Sequence, residues 1–170
     1  MEGFNLEVWK NDVVEWAEKQ GILDSGTTEA QYLKTLEELT ELQMAIIKND
    51  IPEIKDAVGD VLVTLVLGCE LERIKKYHIV NFIRDFKVML EVYTPEEKTY
   101  LELLDKVVKF NHFWMTFIND SYSIFAAIES VIDICSFYKL DMEECMDIAY
   151  KEISGRTGKM INGTFVKDKK

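Results

Sequence analysis

The stretch LEELTELQMAIIKNDIPEIKDAVGDVLV, residues 36–63, constrains this chain more than any other. Six carboxylates that could meet (Glu37, Glu38, Glu41, Glu53, Asp56 and Asp60) fall within 24 residues that otherwise carry the apolar periodicity of buried helix. Asp60 is the hardest to place. It follows AVG and precedes VLVTLVL, a setting too apolar for a solvated face. A lone charge buried there needs a partner or an ion. Gly59 costs roughly 1 kcal/mol in a helix interior, so its presence predicts close approach by another helix or a ligand.

Long 3.6-residue periodicities and only 2 prolines and 8 glycines in 170 residues predict an all-α fold, a helical bundle forming a single domain over 1–170. A first helix is expected over 4–20, with Phe4, Val8, Trp9, Val13, Trp16 and Ala17 at helical spacing. DSGTT (24–28) reads as a loop, with Thr28 as N-cap of a helix over about 29–48 that turns Leu33, Leu36, Leu39, Leu42, Ala45 and Ile46 inward. Asn49-Asp50 breaks it. Asp50 caps a third helix, about 51–75, with Glu53 as its capping-box partner and Pro52 tolerated in the first turn. Two further helices are expected on either side of Thr94-Pro95, then helices at 123–138 and 140–156, the last capped by Asp141. The tail GKMINGTFVKDKK reads as short and basic.

A net charge of −11 argues against binding to a nucleic-acid polymer, which needs a basic surface. Metal ions can still mediate between acidic protein and the phosphates of a single nucleotide. No run of 18 apolar residues predicts a membrane span. Cys69, Cys135 and Cys145 are odd in number and lack CxxC spacing, which predicts free core thiols in a reducing cytoplasm. His78 and His112 form no metal-ligand spacing and read as surface or boundary residues.

Glu38 and Glu41 are three apart, Asp56 and Asp60 four apart, so each pair shares a helix face, and Glu53 lies on the second stripe. Two antiparallel helices joined at Asn49-Asp50 would set the stripes opposite each other. Like charges so placed repel and resist ionisation. A divalent cation resolves the conflict, and an all-oxygen ligand set suits Mg²⁺ or Mn²⁺ rather than zinc. The plainer alternative is an acidic solvated face, with Glu37 in water, Glu53 only a cap, and Lys34, Lys48 and Lys55 as pairing partners. Asp60 beside Gly59 weighs against it.

"EELTEL" followed by "IKDAVGDVLVTLV" resembles the all-α nucleoside triphosphate pyrophosphohydrolases of the MazG type, whose signature is EExxE on one helix and ExxD on the next. The end, LDMEECMDIAYKEISGRTGKMINGTFVKD, resembles the close of small MazG-like proteins, often phage-encoded or bacterial. The likeness covers about 1–70 and 123–168; residues 72–122 match thinly and read as a helical insertion. Where the family has Glu three before the final Asp, this chain has Ala57, and Asp56 or Glu53 would have to serve instead.

The resemblance implies Mg²⁺-dependent hydrolysis of an NTP or dNTP to the monophosphate and pyrophosphate. It implies Glu38, Glu41, Asp56 and Asp60 as metal ligands with Glu53 as an additional one, and Glu37 or Glu38 as the base that deprotonates water. Lys34, Lys151, Arg156 and Lys159 are the candidate phosphate cations; the last 20 residues hold six Lys/Arg against two acids, the first 150 hold 14 against 29. Trp16 and Asn162 are the candidate base contacts, Trp16 by stacking, while Trp114 is set aside. A homodimer or homotetramer is implied as well. Two other readings stay open: a nucleotide-binding protein of the same fold whose chemistry Ala57 weakened, and a helical interaction module with acidic surface helices.

Overall fold

The computed structural model describes residues 4–76, 81–96, 98–103, 105, 106, 109 and 122–168. The fold is all-α, with one small hairpin at its end: α1 (Leu6–Lys19), α2 (Ile22–Ser25), α3 (Thr28–Lys48), α4 (Ile51–Leu71), α5 (Phe82–Val92), α6 (Tyr122–Tyr138), α7 (Met142–Ser154), β1 (Gly158–Ile161) and β2 (Thr164–Lys167). Residues 100–103, 105, 106 and 109 are also helical. His78, His112 and Trp114 lie outside the described residues, as does much of the helix expected after Pro95.

The bundle is organised around α4. Every residue from Ala57 to Leu71 is buried, because a helix apolar on nearly all sides must be covered on all sides. It packs chiefly on α3 and α7, and also on α1. The α3–α4 connection is two residues long. Asn49 takes the left-handed conformation at φ 54°, and the Asp50 N–H donates to the Ala45 carbonyl, closing α3 in a Schellman-type turn. Asp50 Oδ1 then accepts from the Glu53 N–H, opening α4. The expected capping box is only half made, since the Asp50 N–H is already committed to Ala45.

Several expectations need correction. Thr27, not Thr28, caps α3, accepting from the Ala30 N–H. The loop expected at 24–28 begins inside the short helix α2. Leu33 and Val8 are exposed rather than inward, and Tyr32 and Thr35 take the inward places on α3. The helix expected to reach residue 75 ends its α-helical part at Leu71 and continues as a π-helical turn over Glu72–Lys76.

Gly59 marks the α4–α7 crossing. A Cβ there would lie 2.2 Å from the Cys145 carbonyl oxygen and 2.7 Å from the Ala149 Cβ. The close approach expected at Gly59 is therefore made by a helix. All three cysteines are free and buried, as expected of core thiols.

The basic tail is a β-hairpin. Asn162 and Gly163 both have positive φ, 49° and 80°, the requirement of a type I′ turn. Ile161 pairs with Thr164 and Gly158 with Lys167. Phe165 reaches from β2 to meet Trp16 edge-on at 5.7 Å, and the Thr27 N–H donates to the Gly163 carbonyl. These ties hold the hairpin over the α1–α3 end of the bundle.

Candidate functional site

Five acids besides Asp60 are buried among the described residues, and these five, like the exposed Glu152, each have a direct donor. Lys34 Nζ lies 2.6 Å from Glu38, Lys10 and Arg73 flank Glu70, Tyr32 bonds Glu72, and Arg84 holds Asp85 at 2.7 Å. Asp133 receives Tyr93, Lys98 and Lys106, and Arg156 bonds Glu152. Asp60, only 9% exposed, has no hydrogen-bond or ion-pair donor among the described residues.

What surrounds Asp60 is mostly more carboxylate. Asp56, one turn earlier on α4, and Glu152, from α7, offer oxygens that all lie within 4.8 Å of one another and of an Asp60 oxygen. The Gly59 crossing is what brings Glu152 there: Ala149, three residues before it, is the residue packed against Gly59. Burial first, then the charges of Glu38 and Asp56, pushes the Asp60 carboxyl up to about 7. Asp56 is raised as well, by burial and then by Glu152 and Glu53. Arg156 is the cation whose charge opposes both shifts.

The three acids fit a hard divalent ion. They are all oxygen donors, they converge from two helices, and among the described residues the cation bonded to them is Arg156, through Glu152. One or two carboxylates with substrate phosphates completing the shell is how Mg²⁺ is commonly held.

Asp60 also lines a cavity beside this cluster. Its walls come from α1–α4, α7 and β2: Trp16, Ile22, Val63, Leu67, Leu71, Ile153 and Phe165 are apolar, while Gln31, Thr64, Glu38, Lys34 and Arg156 bring polar atoms. The lining is therefore largely apolar, with two cations and two acids among its polar members. Burial would lower the Lys34 amine, but hydrogen bonds to Glu38 and Glu37 outweigh it and raise the amine overall.

The expected site residues divide clearly. Glu38, Asp60, Lys34, Arg156 and Trp16 share the cavity, and Asp56 joins the acid cluster. Glu37 is exposed, on the outer side of Lys34 at 3.0 Å. Glu41 is raised by burial and by Glu38, yet with Glu53 it lines a separate hollow containing Lys48. Lys151 and Lys159 are exposed and do not line the cavity. Asn162 forms the exposed hairpin turn, so the hairpin meets the cavity through Gly163, Thr164 and Phe165 instead.

Sequence reasoning missed Glu152 and Gln31. Glu152 is separated from Asp60 by 92 positions, and only the helix crossing identifies it. The hairpin was legible, since Asn-Gly between MI and TFV is a strong two-residue turn signal.

In a comparison with curated proteins, the chain is similar to an uncharacterised 18.2 kDa protein encoded in the rep-hol intergenic region of Haemophilus phage HP1 (strain HP1c1). The two are 34% identical over 63 residues, which is 37% of this chain and 39% of that protein, so the likeness spans about two fifths of the relative's length. No family model matches the chain, and no solved structure does.

Proposed function

We propose that this protein is a Mg²⁺- or Mn²⁺-dependent nucleoside triphosphate pyrophosphohydrolase of the MazG-like all-α kind. The observation that carries the reading is Asp60: a buried acid without a direct donor among the described residues, shared by a carboxylate cluster and a partly apolar cavity. Asp56, Asp60 and Glu152 would hold the divalent cation, with Glu38 facing them from α3. The ion, when bound, supplies charge neutralisation for the phosphates and activation of the attacking water.

The chain's own residues account for the rest. Lys34 and Arg156, on the cavity wall, bind the phosphate oxygens and offset their charge. Glu38, held by Lys34, accepts the proton of the water that attacks the α-phosphorus; the α–β anhydride bond breaks, and pyrophosphate leaves. The apolar part of the cavity lining, Phe165 included, receives the base and excludes water from it. Glu152 answers the question raised by Ala57. That alanine is buried in the core and offers no ligand, while α7 contributes a third carboxylate in its stead.

A second reading, a nucleotide-binding protein with weakened chemistry, is favoured by the Ala57 position alone. A panel of NTPs and dNTPs, assayed for pyrophosphate release with Mg²⁺ and with Mn²⁺, separates the two. Release from at least one nucleotide is expected. Tight binding without release would favour the second reading, and neither binding nor release would dismiss both. The exposed apolar residues Leu33, Met44 and Ile47 share one face of α3 and support pairing with a second copy, which light scattering would detect.

A further inference from the structure

At the C-terminal end of α4, a second cleft of about 550 Å³ opens between α1, the π-helical turn and α5. It shares no lining residue with the cavity beside the acids. Glu70, on its wall, follows Asp60 by ten residues, about 15 Å along the helix. The chain carries a net charge of −11, yet this cleft is lined by four cations, Lys10, Arg73, Arg84 and Lys87, against two acids, Glu7 and Glu70.

Two buried carboxylates fix three of these cations. Glu70, 8% exposed, takes Lys10 and Arg73, each at 2.8 Å. Burial would raise its carboxyl, but those partners outweigh it and hold it below the ordinary value. Asp85, 2% exposed, takes Arg84 Nε at 2.7 Å. An ion pair that holds a fold together joins separate elements, as Lys10 of α1 joins Glu70 of α4. Arg73 is three residues from Glu70, and Arg84 adjoins Asp85, so these two pairs hold no elements together. What they fix is the direction of a guanidinium on the cleft wall. Arg84 gives only Nε to Asp85, and its side chain is 55% exposed, so both terminal nitrogens lack a partner among the described residues. A guanidinium anchored on one edge with its fork open suits bidentate recognition of an oxyanion. α5 begins on the same wall. Asn81 Oδ1 accepts from the Arg84 N–H, which leaves the N–H groups of Phe82 and Ile83, two lining residues, without an acceptor among the described residues.

We propose that this cleft binds a small phosphate-bearing ligand, with Lys10, Arg73, Arg84 and Lys87 around the phosphate oxygens and the first N–H groups of α5 completing the shell. Charge selects an anion, and two guanidiniums select one with several oxygens over a simple carboxylate. The volume falls within the roughly 300–1,000 Å³ of small-molecule sites. The site needs no divalent ion, because its positive charge comes from the chain itself. In that it is the reverse of the Asp60 cluster, and it does not depend on the function proposed for that cluster.

Backbone-amide NMR tests it, with inorganic pyrophosphate titrated into the full chain in EDTA. The Phe82 and Ile83 amides are expected to shift and to saturate together, while acetate at the same concentration moves neither. Arg73→Gln combined with Lys87→Gln removes two cations but leaves Glu70 its Lys10 and Asp85 its Arg84, so the fold is kept. That double variant should weaken pyrophosphate binding, read at the same amides, at least about tenfold, the scale of one charged hydrogen bond. Arg156→Gln, at the cavity beside the acids, should leave the affinity read there unchanged. Phe82 and Ile83 amides that stay in place while those around Arg156 move would overturn the proposal. So would equal affinity in the double variant, or equal shifts with acetate, which would show a general effect of ionic strength. None of these outcomes bears on hydrolysis at the Asp60 cluster, which the nucleotide panel tests separately.

Discussion

Asp60 and Asp133 are both buried aspartates near the middle of apolar helices, and the chain treats them in opposite ways. Asp133, 2% exposed, is met by the Tyr93 hydroxyl at 2.6 Å, by Lys106 at 3.0 Å and by Lys98 at 3.4 Å. Those partners come from the segment that follows α5, so the aspartate fastens that segment onto α6. Asp60, with Asp56 and Glu152 for neighbours, fastens nothing. An acid kept for architecture is neutralised from within the chain; one left among other acids makes the fold less stable unless something from outside completes it. On the proposed function, the difference separates a structural charge from a functional one.

The comparison can be broken most decisively by exchanging each acid for its amide. Asp60→Asn is expected to abolish pyrophosphate release, a loss of at least about a hundredfold, without unfolding the protein; normal turnover in that variant would remove the proposed ion site. Asp133→Asn is expected to do the reverse. It strands two lysines and should cost about 3 kcal/mol of stability, read as a lower denaturant midpoint, with activity per folded molecule unchanged.

Titration sharpens the contrast. The folded-state value of Asp60 is raised to about 7, above its ordinary value near 3.9 in the unfolded chain. Between those two values the folded state holds the extra proton, so stability falls as pH rises through the window and levels off above it. In ion-free buffer, melting temperature is expected to drop by about 5 °C from pH 4.5 to pH 8 through this group. Asp60→Asn should flatten that part of the profile, and Mg²⁺ or Mn²⁺ should restore stability above pH 7. A profile identical in the variant would show that Asp60 is not under this charge stress.

The smallest expected effect belongs to Glu152, half-exposed and already bonded to Arg156. Glu152→Gln should raise the Mg²⁺ concentration needed for half-maximal rate about tenfold, the scale of one carboxylate lost from a shell that keeps the others. No change in metal dependence would leave Asp56 and Asp60 as the only ligands from this cluster.

Much of this was legible in the chain itself. The apolar run around Asp60 required a central buried helix, the spacing of Asp56 and Asp60 required a shared face, and Gly59 required a close crossing, because periodicity and helix sterics are local properties. Asn49-Asp50 likewise specified a tight helical turn. Asn162-Gly163 specified a hairpin as strongly, although a basic tail drew attention to charge and away from turn chemistry.

Tertiary structure decided the rest. Nothing in YKEISGR says that Glu152 will stand beside Asp60, since that depends on which helix fills the space opened by Gly59. Nor could spacing distinguish Glu38, which enters the cavity, from Glu41 and Glu53, which line a neighbouring hollow. Sequence determines which side chains share a face of one helix; only packing between helices, set by shape and volume across the whole core, determines which faces meet.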